Sequence, residues 1–279
     1  MTIRAVVFDA YGTLFDVQSV AGITEAAFPG HGETITQLWR LKQLEYTWLR
    51  GLMGAYADFW TVTQDSLAYT LETLGLSATP DFVATVAEAY DALALYPEAR
   101  EALEALSPLR LAIFSNGSPA MLGRLVAQAG IGDLLETVIS VDEIGVYKPD
   151  PRGYAHVEAR LGLARGEILF VSSNGFDIAG ARAHGFRVAR IARLPEEALR
   201  RDLAGATTIG PALMFKALRL RPERLGFEAD ATIAALTDLA ALVARGEDAL
   251  GWLTPSAPPG GLNRRARNRS GRSARRPPP

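Results

Sequence analysis

The stretch Val6-Val7-Phe8-Asp9-Ala10-Tyr11-Gly12-Thr13-Leu14 decides how the rest of this 279-residue chain is read. An apolar run that begins at Ile3 ends in a carboxylate and a Gly-Thr turn. Such a run reads as a buried strand. The strand delivers Asp9 to the carboxyl edge of a sheet, Gly12 permits a tight turn, and Thr13 offers a hydroxyl to the carboxylate or to nearby backbone. One aspartate after a strand, taken alone, reads more readily as a helix cap than as a nucleophile. The polar residues at the ends of the other strands therefore carry the weight.

Comparable apolar runs occupy residues 111–114, 138–141, 168–171 and 188–191, with helix-period stretches at 98–106, 119–129, 151–161 and 177–184. Strands alternating with helices predict βαβ units, a parallel sheet and an α/β fold. Sheets of this kind bind ligands beyond the carboxyl ends of their strands. Residues 16–96 break the rhythm. They carry no strong strand signal, but Leu38, Leu41, Glu45, Trp48 and Leu52 fall at helical spacing, as do Phe82, Val86, Ala89 and Leu93. The expectation is a Rossmann-like core built from residues 1–15 and 97–250, with a helical cap domain of residues 16–96 inserted after the first strand. Trp39, Tyr46, Trp48, Tyr56, Phe59 and Trp60 concentrate in the cap, mostly as its own core, and suggest a homodimer contact as well. Further helix signals lie at 212–218 and 231–243.

The formal net charge of −2 makes no general case for nucleic acid as a partner. It conceals an asymmetry, because seven arginines and no acidic residue lie beyond Thr254, leaving −9 on the rest of the chain. Residues 254–279, rich in Pro, Gly, Ser and Arg, are expected to be a disordered basic tail. The chain has no cysteine, which excludes disulfides, thiolate metal sites and cysteine nucleophiles. His31, His156 and His184 have no metal-ligand spacing, and the last two read as structural. The N-terminus lacks the regions of a signal peptide, and no apolar run reaches membrane-spanning length. A cytoplasmic protein with no membrane partner is expected.

Three further clusters stand at strand ends. Ser115-Asn116-Gly117 offers hydroxyl and amide groups, with Ser118-Pro119 reading as the start of a helix. Tyr147-Lys148-Pro149 brings an ammonium, which beside a carboxylate keeps it ionised. Ser172-Ser173-Asn174-Gly175-Phe176-Asp177 ends in a carboxylate that either caps a helix or takes part in chemistry.

Together with Asp9-Ala10-Tyr11-Gly12-Thr13 and Trp39-Arg40, these clusters resemble the haloacid dehalogenase superfamily, and within it the L-2-haloacid dehalogenases. The resemblance runs to about Val243. Phosphatases of that superfamily carry a second aspartate two residues after the nucleophile, where this chain has Tyr11. They also carry an acid where this chain has Ser173. Losing both removes a proton donor and weakens a magnesium site, so the resemblance implies no metal and no cofactor. Halide leaves without protonation.

The implied reaction hydrolyses an L-2-haloalkanoic acid to a D-2-hydroxy acid, with inversion at C2, through an ester on Asp9. Lys148 keeps Asp9 ionised, and Thr13 and Ser172 orient carboxylates. Asp177, with Lys148 and Asn174, positions or deprotonates the hydrolytic water. The resemblance assigns the halide to Arg40, Asn116 and Phe176, and the substrate carboxylate to Ser115 and amides around Asn116. Tyr11, Leu44, Phe59 and Tyr154 are expected as pocket walls. Two alternatives stay open: a magnesium-dependent phosphatase or phosphonatase, whose activity a chelator would abolish, and a non-catalytic binding protein of the same fold, which retention of Asp9 and Lys148 opposes.

Overall fold

Strand β1 (Ala5–Phe8) is buried along its whole length and sits in the middle of a six-stranded sheet in the computed structural model, which describes residues 2–245. The later strands are β2 (Phe15–Asp16), β3 (Ala94–Leu95), β4 (Arg110–Ser115), β5 (Thr137–Ser140), β6 (Ile168–Ser172), β7 (Arg187–Ile191) and β8 (Ala231–Ile233). The main sheet has the order β5-β4-β1-β6-β7-β8, and every pairing is parallel. Phe8 pairs with Ile113 on one side and Val171 on the other, so Asp9, Ser115 and Ser172 emerge together at the carboxyl edge. Chain order runs outward from β1 in both directions, which opens a crevice at its tip.

Between β2 and β3 lie α1 (Ala21–Ala27), α2 (Gly32–Met53), α3 (Phe59–Thr73) and α4 (Pro80–Ala87). The two short strands pair antiparallel, Phe15 with Leu95 and Asp16 with Ala94, so the inserted segment leaves and returns at one point. Trp39 and Phe59 are buried inside it, and the Trp39 indole donates to Thr63 O at 2.8 Å.

The strands of the main sheet are apolar on both faces because helices cover both sides. These are α5 (Ala99–Ala105), α6 (Pro119–Ala129), α7 (Pro151–Leu161), α8 (Gly175–His184), α9 (Glu196–Gly205), α10 (Pro211–Leu218) and α11 (Asp238–Ala244). Ser118 caps α6 through its hydroxyl, with Pro119 at the first helical position and Gly130 closing the helix in the left-handed region.

Two expectations need correction. Residues 231–233 form a strand, and the helix begins only at Asp238. The open edge of β7 supplies backbone partners to Ala231, Thr232 and Ile233, and this outweighs an alanine-rich pattern. The helical spacing of Phe82, Val86, Ala89 and Leu93 stops at Ala87 and continues as a tighter turn over Glu88–Asp91. The basic tail at 254–279, and residues 246–250 of the expected core, lie outside the described residues.

Candidate active site

Asp9 continues the pairing of β1, its N–H donating to Val171 O at 2.9 Å, and this aims the carboxylate past the sheet edge. The turn beyond it depends on Gly12, whose φ of 87° is open to glycine at little cost. The two carboxylate oxygens meet different surroundings. Oδ2 accepts from Thr13 Oγ1 at 2.9 Å and Asn174 Nδ2 at 2.7 Å, with Ser172 Oγ at 3.4 Å. Among the described residues, Oδ1 is hydrogen-bonded only by the Lys148 ammonium, at 3.2 Å. One oxygen is pinned and the other is left with lone pairs to use.

Lys148 is almost fully buried, and its three hydrogens go to Phe114 O at 2.6 Å, Asp177 Oδ2 at 2.8 Å and Asp9 Oδ1. Asp177 lies in the first turn of α8. Burial and the negative charge of Asp9 push its pKa up to about 6, while Lys148 and a hydrogen bond from Tyr154 oppose the rise. A buried carboxyl in that range can take a proton from water near neutral pH.

The far wall of the site comes from the inserted helices. Arg40 and Leu44 on α2 and Phe59 at the start of α3 face Asp9, Tyr11, Asn116, Lys148, Asn174 and Phe176 across a cavity of about 10 Å³. Arg40 is only 3% exposed. Its Nη1 donates to Gln43 Oε1 at 2.6 Å, but its Nε has no hydrogen-bond partner among the described residues. Asn116 accepts from Lys148 N at 3.0 Å through Oδ1, which leaves its Nδ2 hydrogens for the cavity. Phe176 is held edge-on by Trp48, ring centroids 5.3 Å apart. A buried cation with a spare donor, amide hydrogens and an aromatic rim suit a small anion. The Tyr11 hydroxyl also lacks a hydrogen-bond partner among the described residues, and burial holds its pKa far above the ordinary tyrosine range.

Of the expected residues, Asp9, Tyr11, Arg40, Leu44, Phe59, Asn116, Lys148, Asn174 and Phe176 meet in this cavity, with Thr13, Ser172 and Asp177 bonded behind them. Two stand elsewhere. Tyr154, expected as a pocket wall, is fully buried between α7 and α8, where its hydroxyl donates to Asp177 Oδ1 at 2.8 Å. The close packing of α7 on α8 turns it inward. Ser115 is also fully buried, and its Oγ accepts from Gly117 N at 3.1 Å. His156 and His184 pair with Glu143 and Glu158, at 3.0 and 2.6 Å, outside the site.

The residues present do not fit a magnesium ion. Ser173, at the position of an acid in the phosphatases, spends its hydroxyl on Gly12 O at 2.8 Å. The two remaining carboxylates are bridged by the Lys148 ammonium, which puts a positive charge where a cation would need oxygen ligands.

Two arginines escape sequence reasoning. Arg219, at the end of α10, donates from Nη1 to Asn174 Oδ1 at 2.8 Å. Burial first, and Arg40 second, lower its pKa to about 10. Arg193, just past β7, lies 3.6 Å over the Tyr96 ring, pairs with Glu98 and donates to Thr13 O. A cation just past the end of an element reads as an ordinary terminal charge, so nothing in the local pattern singles either out. Both border a second, larger cavity of about 120 Å³ behind Gly12 and Ser173, which does not contain Asp9.

A parallel α/β sheet with a carboxylate at the tip of β1 and a lysine bridging it to a second carboxylate defines a hydrolase of the haloacid dehalogenase-like family. The chain belongs to that family, matching it over residues 3–185. It is 59% identical over 241 residues to the (S)-2-haloacid dehalogenase of Xanthobacter autotrophicus, covering 86% of this chain and 95% of the relative. The (S)-2-haloacid dehalogenase of Pseudomonas sp. strain YL is 49% identical over 186 residues, 66% of this chain and 80% of that one. The solved structure of the Xanthobacter L-2-haloacid dehalogenase superposes with a TM-score of 0.85 at 58% identity, covering 88% of this chain and 99% of the other. That enzyme has also been solved with chloropropionic acid covalently bound, with the same TM-score. No described helix is long and apolar enough to cross a membrane.

Proposed function

We propose that this chain hydrolyses L-2-haloalkanoic acids to D-2-hydroxy acids and halide, with Asp9 as the nucleophile. The observation that carries this reading is the asymmetry of the Asp9 carboxylate, pinned at Oδ2 and open at Oδ1, in a cavity whose opposite wall holds the buried Arg40. Oδ1 attacks C2 from the face opposite the halogen, the carbon–halogen electrons leave with the halide, and the carbon inverts. Arg40, Asn116 and the Phe176 edge receive the halide. Lys148 holds Oδ1 in line, and backbone amides beside Asn116, with Ser115 beneath them, take the substrate carboxylate. Tyr11, Leu44 and Phe59 confine the short chain. Tyr154 acts from behind, on Asp177.

In the second half Asp177 accepts a proton from water, whose oxygen attacks the Asp9 carbonyl carbon. Charge develops on Oδ2, where Thr13, Asn174 and Ser172 already point, and so they form an oxyanion hole. Collapse releases the hydroxy acid, which carries Oδ1 away and takes the proton back. The scheme needs no metal, because Lys148 supplies the positive charge.

The test is chloride release from L-2-chloropropionate in the presence of chelator, followed by a single turnover in heavy-oxygen water. Label should enter Asp9 and not the product, and Asp9→Asn should abolish release. Label appearing first in the product, or undiminished release by the variant, would overturn the scheme.

The described part of residues 1–15 and 97–250 then acts as the core and residues 16–96 as the cap, in a cytoplasmic protein. Leu49, Leu52 and Met53, exposed at the end of α2, support a homodimer. Sedimentation should give twice the 30.0 kDa chain mass, and a single chain mass would refute this.

A further inference from the structure

The proposed mechanism leaves the charge on Arg219 unused. This side chain lies outside the four strand-end clusters, on a segment between β7 and β8, yet its guanidinium reaches the amide that holds the nucleophile. Asn174 Oδ1 accepts from Arg219 Nη1 at 2.8 Å, while Asn174 Nδ2 donates to Asp9 Oδ2 at 2.7 Å and to Tyr11 O at 3.0 Å. The result is a relay of guanidinium, amide and carboxylate with every member hydrogen-bonded. A cation on the carbonyl oxygen of an amide draws electrons from its nitrogen and makes the N–H a stronger donor. The two Nδ2 contacts already fix which way the amide faces, so the Arg219 contact does not set its orientation. It sets its polarity.

We infer that Arg219 is a positioning residue for the second half-reaction: by polarising Asn174 it strengthens the oxyanion hole at Asp9 Oδ2 while the aspartyl ester is hydrolysed. The inference rests on the proposed ester route and specifies how its second step is driven. The sign of the effect separates the two steps. Alkylation turns the Asp9 carboxylate into a neutral ester and removes charge from beside the Asn174 N–H. A weaker donor therefore does not slow that step. Attack by water places a full negative charge on Oδ2 and shortens the same contact, so a weaker donor slows this step. Burying a guanidinium, and doing so near Arg40, carries a cost, seen in the lowered pKa of Arg219. The hydrogen bond to Asn174 gives that charge a partner inside the site.

The experiment tracks both steps within one turnover of L-2-chloropropionate by the full chain. Chloride release reports alkylation. The mass of acid-quenched protein reports the rise and decay of the ester on Asp9. In Arg219→Met the ester should decay about tenfold to a hundredfold more slowly than in the wild type, the range expected for losing a charge-assisted hydrogen bond, and it should accumulate. The chloride burst should keep its rate within about threefold, and its amplitude counts correctly folded sites. Arg219→Lys, which keeps the charge, should recover part of the decay rate. In an Asn174→Ala background, Arg219→Met should change ester decay little, because the two act through one contact. Ester decay at the wild-type rate, equal slowing of burst and decay, or full additivity with Asn174→Ala would overturn the inference. Absence of any ester in the wild type would instead overturn the underlying reading.

Discussion

Replacing Lys148 by methionine removes a cation shared by two buried carboxylates while keeping most of the volume. In the native site the ammonium lies 3.2 Å from Asp9 and 2.8 Å from Asp177, and all three side chains are nearly or fully buried. Without it, Ser172 Oγ, 3.4 Å from each carboxylate, has one hydrogen to offer both. Removing one partner of a buried ion pair typically costs about 3–5 kcal/mol. The pair would escape part of that cost by binding a proton, so the pKa of Asp177, already about 6 with Lys148 present, rises further. A carboxyl with a pKa above its unfolded value favours the folded state at low pH and withdraws that support as pH rises through the folded value. The wild type has lost this contribution once pH passes about 6, but the variant goes on losing it. The stability gap should therefore widen by about 1.4 kcal/mol for each pH unit above 6, up to the pKa of the variant. Urea unfolding of both proteins at about pH 6, 7 and 8 measures the gap, and chloride release should be lost throughout. A gap independent of pH, or stability equal to the wild type at the highest pH, would refute the view that Lys148 holds two ionised carboxylates apart.

Two further expectations concern the surroundings of Asp177. Its hydrogen bond from Tyr154, at 2.8 Å, lowers its pKa, so Tyr154→Phe should raise it by about one unit. The proposed base must be ionised, so the acid limb of the pH–rate profile should move from about pH 6 toward about 7; an unmoved limb would remove Tyr154 from the proton path. A Cβ added at Gly180 would meet the Tyr154 hydroxyl below any real contact distance and Pro149 Cβ at 2.7 Å. Gly180→Ala should therefore cost about 1–3 kcal/mol in thermal unfolding and disturb the same limb, whereas unchanged stability would show that α7 and α8 separate freely.

The sheet and the place of Asp9 at its carboxyl edge are legible because several signals coincide at each place. At 3–9, 111–116 and 168–174 an apolar run stops abruptly at polar residues, and only a strand leaving a buried sheet explains all three. That Arg40 and Phe176 line the cavity beside Asp9 is legible only through family resemblance, since an arginine on a helix and an aromatic after a glycine fit many surfaces. Tyr154 was assigned to the site but to the wrong side of it. Spacing along α7 says which residues share a face, not which neighbour that face meets. β8 was misread because its pairing with β7 is a property of distant chain, absent from any window around residue 231. Arg219 left no local trace at all, because its meaning comes from an amide 45 residues away.

The ribbon formed by Phe15–Asp16 and Ala94–Leu95 has a bearing on how such proteins diversify. Its two strands lie side by side, about 5 Å apart, so everything between them is tethered to the sheet as a loop is tethered to a clasp. Helices there can be lengthened, shortened or swapped for others without rerouting a single neighbouring strand. The groups proposed to break and make bonds, Asp9, Lys148 and Asp177, sit on the sheet side of that clasp, whereas Arg40, Leu44 and Phe59 sit beyond it. Selection for a different guest can thus act on the detachable half while the bond-making half is inherited unchanged.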